Sequence, residues 1–194
     1  MRKRLPRLPD DILPKLPLVI RRLTADDREA LLHFYQRLSL FDRHAHFGHP
    51  LSDHWLARYV DRVDFGADGH FAALGAASVI IAVGHCIVLD GQGVLSIHVA
   101  SGYRRRGLGA GLRRRLVGFG GQRGLRWLRA YFTAHDEVAA ALARQGGMTL
   151  STDASRVHAE LLIGAFEAEC GKGRTDPARL QSARAPDPAP AAAA

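Results

Sequence analysis

The chain has 194 residues, with 27 Lys and Arg against 19 Asp and Glu and a formal charge of +8. That length suits one well-buried domain with tails and is too short for two comfortable ones. No apolar run approaches the roughly 18–20 residues of a membrane span, and two cysteines, Cys86 and Cys170, build no disulfide framework and suit a reducing cytoplasm.

The first 16 residues are basic and proline-punctuated, without the continuous apolar core or cleavage site of a signal peptide, and read as an extended arm. Leu18 to Leu23 has the pattern of a short strand. Thr24-Ala25-Asp26-Asp27 then starts a helix whose Leu31, Leu32, Phe34, Tyr35 and Leu38 share one face. Ser39 to His54 reads as a loop, with Gly48 and Pro50 as punctuation. Its histidines, His44, His46, His49 and His54, match no common zinc spacing and have no cysteine nearby. No metal is expected. Ser52-Asp53 caps a second helix reaching about Val63.

Phe71–Leu74 and Ser78–Leu89 read as a strand pair, the second apolar enough to be central. Asp90-Gly91-Gln92-Gly93 turns tightly into a further strand, with Val94, Ser96 and His98 on one side and Leu95, Ile97 and Val99 on the other. After Ser101-Gly102 come Arg104, Arg105 and Arg106, then Gly107-Leu108-Gly109-Ala110-Gly111 opening a helix to about Gly120. The first turn of a helix presents unpaired N–H groups and the positive end of its dipole. Glycine lets a phosphate approach that backbone closely. This stretch is therefore a candidate site for a ligand with a pyrophosphate.

A P-loop would need Gly-Lys-Ser/Thr, and Gly111 is followed by Leu112. The dinucleotide fingerprint would place its third glycine one residue later and an acidic residue about twenty positions on, where Arg126 and Arg129 stand. Beyond lie a strand from Leu125 to Phe132, a helix opened by Asp136 and a last strand from Val157 to Ile163. Residues 17–165 read as one domain. The Ala/Pro-rich stretch 171–194 cannot bury enough apolar surface to order itself.

Arg104-Arg105-Arg106-Gly107-Leu108-Gly109 resembles the Arg/Gln-x-x-Gly-x-Gly/Ala loop of the GNAT superfamily of N-acetyltransferases. The opening strand, the Leu38-Ser39 segment and the Asp136 helix ending at Gly147-Met148 are similar to the same family, closest to the domains of Pat-type protein lysine acetyltransferases. The resemblance implies a mixed, mostly antiparallel sheet flanked by about four helices, and acetyl-coenzyme A (acetyl-CoA) as cosubstrate for an amine acceptor, either a protein lysine or a small molecule. It further implies that the backbone of Ile97, His98 and Val99 holds the thioester and pantetheine. Arg104, Arg105, Arg106, Gly107, Leu108, Gly109 and Ala110 would hold the pyrophosphate, with Asp136 where the family has asparagine.

Two family groups are missing. The glutamate used as base falls at Val94, and the tyrosine used as acid falls at Ala143. His98 is the substitute candidate for the base, by its face and its ordinary pKa near 6.5. His85, Tyr131 and His135 are weaker ones. A non-catalytic acyl-CoA module is the rival reading. The charge argues less for nucleic acid, because it clusters at the N-terminus and on the Arg104–Arg129 segment, where a phosphate site already calls for it.

Overall fold

The computed structural model describes residues 19–47, 49, 51–153 and 156–163. The arm at 1–16, the tail at 171–194 and Cys170 lie outside the described residues. The chain runs β1 (Val19–Arg22), α1 (Arg28–Gln36), α2 (Leu40–Phe47), α3 (Asp53–Asp61), β2 (Gly69–Leu74), β3 (Ile80–Leu89), β4 (Gln92–Val99), α4 (Leu108–Gln122), β5 (Trp127–Thr133), α5 (Glu137–Gln145), β6 (Thr149–Asp153) and β7 (Arg156–Leu162). The strands form one sheet in the order β1-β2-β3-β4-β5-β7-β6. Every neighbouring pair is antiparallel except β4 and β5.

Period-2 alternation divides the side chains between two faces. On one, Leu31, Phe34, Tyr35, Leu56 and Val60 of α1 and α3 pack with Ala72 and Val83 of the sheet. On the other, Leu116 and Phe119 of α4 pack with Cys86, Leu95 and Leu128, while Leu108 and Leu112 pack with Ala73 and Ile81. Ala143 of α5 joins Met148 and Ala159 beside them.

Local chemistry sets the connections. Asp90 and Gly91 both have positive φ, 47° and 72°, the backbone of a tight hairpin whose twist matches its strands. Helix α5 ends with Gly147 at φ 75°; Met148 N–H donates to the Ala143 carbonyl at 3.1 Å and Gly147 N–H to that of Arg144 at 2.9 Å. Those two bonds are a Schellman cap.

One expectation is corrected and one element is new. Residues 40–47 form helix α2 instead of a loop. Ser39 is its start signal: Ser39 Oγ accepts the Asp42 N–H at 3.0 Å and its hydroxyl donates to the Asp42 carboxylate at 2.9 Å. The first of these bonds is a serine N-cap, satisfying one of the free N–H groups of the first turn. Strand β6 is an addition, with Leu150 its one large apolar residue and four exposed polar neighbours. An edge strand so polar carries no period-2 signal.

Candidate active site

The centre of the sheet comes apart. Parallel pairing of β4 with β5 runs from Gln92↔Trp127 to Leu95↔Ala130 and stops. Past that point each strand stays paired on its outer side, β4 with β3 as far as Val99↔Ala82 and β5 with β7 as far as Thr133↔Arg156. Ser96–Val99 and Tyr131–Thr133 thus form the two banks of a fork. Backbone groups along its inner edges have no ladder partner in the sheet and are free to pair with an extended ligand.

The fork leads to the N-terminus of α4. Gly107 occupies its N-cap position at φ 76°, a left-handed conformation that favours glycine. Arg104, Arg105, Arg106 and Gly107 are exposed, Gly109 and Ala110 partly so, and Leu108 is buried in the α4 core. A Cβ at Gly109 would meet Leu142 of α5 at 3.3 Å. Arg106 lies over the Tyr103 ring, 5.7 Å from its centroid. Arg104 is already engaged: its Nε donates to the Val99 carbonyl at 3.0 Å and its guanidinium pairs with Asp42. Burial opposes the charge on Asp42, but hydrogen bonds from Ser39 and Arg104 outweigh it and hold the carboxyl below its usual range. Asp136 serves its own helix, accepting the Ala139 N–H at 2.9 Å. An open cleft of about 410 Å³ lies beside this region, lined by Leu38, Phe41, Ala100, Ser101 and the Asp42–Arg104 pair among others.

On the α1–α3 side of the fork four histidines converge. Sheet register places His70 beside His85 and His85 beside Ser96 in one lateral row. His46 of α2 lies above that row, its ring centroid 5.5 Å from those of both His85 and His98 and its Nδ1 3.1 Å from Ser96 Oγ. Phe34 packs edge-on against His98 at 5.9 Å, and Tyr35 stacks on His46 at 5.5 Å. Burial lowers all four imidazoles: His98 and His85 to about 4, His70 to about 3, and His46 well below its usual value with help from His85 and His98. All four are neutral near pH 7. Among the described residues no three His, Cys, Asp or Glu side chains are arranged to hold a metal ion.

No protein-family model matches the sequence, and no curated protein matches it either. Solved structures do. The GNAT domain of S. lividans PAT is 21% identical, with a TM-score of 0.63 over 74% of this chain and 89% of that one. A GNAT superfamily phosphinothricin acetyltransferase from Sinorhizobium meliloti, solved with acetyl-CoA, is 18% identical, with a TM-score of 0.65 over 84% and 97%. A ribosomal-protein-alanine N-acetyltransferase from Brucella melitensis is 17% identical, with a TM-score of 0.61 over 75% and 99%. This chain has the GNAT fold.

Within the GNAT fold the sequence candidates separate. Ile97, His98 and Val99 lie on one bank of the fork, next to the arginine–glycine loop. Val94 is half-buried before the fork opens, and Ala143 is buried against Met148 and Ala159, leaving no space there for a tyrosine ring. Tyr131 is exposed on the opposite bank with its ring edge-on to His158, and His135 is exposed beyond β5. Of the four loop histidines, His44 and His54 are exposed and His46 alone joins the cluster. His70 carries no sequence signal, since it is one polar residue in an apolar strand and finds its neighbours only through sheet register.

Proposed function

We propose that the protein is an acetyl-CoA-dependent N-acetyltransferase, acting in the cytoplasm on an amine of a protein lysine or a small molecule. The observation that carries this is the β4–β5 fork emptying onto the glycine N-terminus of α4. Support comes from the fold it shares with GNAT proteins, one of them solved with acetyl-CoA.

In this reading the N–H groups at Gly107, Leu108, Gly109 and Ala110 take the pyrophosphate, and Arg105 and Arg106 add charge from solvent. Arg104 reaches the same phosphates once it exchanges Asp42 for them. The pantetheine lies in the fork along the backbone of Ile97, His98 and Val99, and Asp136 closes the far side through the start of α5. Acetyl-CoA supplies an activated acyl group. The amine attacks its carbonyl directly in a ternary complex, so the C–N bond forms as the C–S bond breaks. Holding both reactants together supplies much of the rate by proximity. His98 is one candidate for the proton acceptor.

A non-catalytic acyl-CoA module is the second reading, favoured by half-buried Val94 and closed-in Ala143 at the family's proton-handling positions. Turnover separates the two. Purified protein with acetyl-CoA and either poly-L-lysine or spermidine is expected to release free coenzyme A thiol in proportion to enzyme. Binding without acceptor-dependent release makes the protein a module, and no binding at all removes both readings.

A further inference from the structure

We infer that Ser96 and His46 form the proton relay of the acetyl transfer, standing in for the carboxylate that Val94 does not supply; the inference rests on the acetyltransferase reading above. Ser96 is the first β4 residue beyond the last β4–β5 pair, so its side chain stands where the fork opens. It lies 3.1 Å from His46 Nδ1. Both residues keep partial exposure, whereas His98, His85 and His70 are 6%, 7% and 1% exposed.

The ring has one workable tautomer for this task. With Nε2 protonated, His46 Nδ1 accepts the Ser96 O–H, and Ser96 Oγ keeps lone pairs free to accept a proton. As the amine nitrogen bonds to the acetyl carbon, its proton passes to Ser96 Oγ while the serine proton passes to Nδ1. The thiolate departs with the C–S bonding pair, and the imidazolium returns its proton to the sulfur through the same serine. Amine and thioester become amide and thiol, with no proton left over.

The surroundings suit a transient charge on His46. His85 from β3 and His98 from β4 face it as neutral rings, Tyr35 of α1 stacks on it, and Tyr59 of α3 stands behind Tyr35 at 5.8 Å. Asp42, the one carboxylate acting on the His98 side of the cluster, is tied to Arg104. Burial disfavours the protonated ring, so the imidazolium gives its proton up readily. His98 Nε2 is buried without a hydrogen-bond partner, and its ring abuts that of His46 edge-on. It serves as a positioning residue.

The test compares wild type, His46→Asn and Ser96→Ala for transfer from acetyl-CoA to poly-L-lysine and spermidine between pH 5 and 9, alongside acetyl-CoA affinity by calorimetry and thermal melting. General-base loss corresponds to about 10²–10⁴ in rate. The variants are expected to lose at least about 10²-fold in kcat and to bind acetyl-CoA as wild type does. Imidazole added to the buffer should restore part of the His46→Asn rate in proportion to its concentration, by supplying the missing base. Loss of a purely structural hydrogen bond would not be repaired in that way. The inference is overturned by a His46→Asn rate near wild type, by the absence of rescue by imidazole, or by an acetyl group trapped on Ser96. It is also overturned if His98→Asn loses the rate and His46→Asn does not. Absence of wild-type binding or transfer would instead remove the acetyltransferase reading itself.

Discussion

The two faces of the central sheet are built from different materials. Under α4 and α5 the residues are apolar and mostly aliphatic, with Leu95, Leu112, Leu116 and Leu128 almost fully enclosed. Under α1–α3 the same strands present His70, His85, Ser96 and His98 among aromatic rings, with His46 brought down onto them. One face holds the strands in place and the other retains polar groups that burial makes expensive. A cluster of four neutral imidazoles beside a fork is a poor way to gain stability, which is why we propose a chemical role for it.

The largest expected difference between the faces is in their response to acid. Each clustered histidine has a folded pKa below the ordinary value of about 6.5. The unfolded chain therefore binds more protons, and stability falls as the pH drops from about 6.5 toward the folded values. The slope is at most about 1.4 kcal/mol per pH unit for each histidine. Urea midpoints measured from pH 8 to pH 4.5 should be flat at first and then fall steeply. His70→Phe should flatten that fall, since neither His70 ring nitrogen has a hydrogen-bond partner. An unchanged slope would show that the cluster is not neutral when folded.

The aliphatic face should instead respond to lost volume, independently of pH. Leu128→Ala removes a side chain with 0% exposure and should cost about 2–5 kcal/mol in urea unfolding at both pH 8 and pH 6. A smaller effect belongs to the end of α5. Gly147→Ala forces a Cβ into the left-handed conformation of its Schellman cap and should cost about 1–2 kcal/mol. Smallest is Arg21→Ala. Its doubly bonded pair with Asp27 lies at the edge of the sheet, outside both faces, and should change stability by under about 1 kcal/mol.

The organisation of the sequence around β4 and α4 was legible because its signals are local. Alternation in Val94–Val99, the Asp90-Gly91 turn and the glycines at 107, 109 and 111 each act within a few residues. Helix α2 is less legible although its Ser39–Asp42 cap is local too, because Gly48 and Pro50 follow it closely and carry the signature of a loop. The histidine cluster could not be read in the same way. His46 lies on α2, which has no clear signal in the sequence, and His70, His85 and His98 are brought together only by register across three strands. The engagement of Arg104 by Asp42 is likewise a tertiary fact, linking α2 to the loop before α4.

Calorimetric titration with acetyl-CoA addresses the central claim directly, using wild type, Gly109→Trp and the double variant Arg105→Glu/Arg106→Glu. One acetyl-CoA should bind per wild-type chain. Gly109→Trp, whose side chain would crowd Leu142 and cover the α4 N-terminus, should abolish binding while still melting cooperatively. The exposed double variant should weaken binding at least about tenfold, or about 1.4 kcal/mol. No heat from wild type, or equal binding by all three proteins, would contradict the assignment of the fork and its arginine–glycine loop as the acetyl-CoA site.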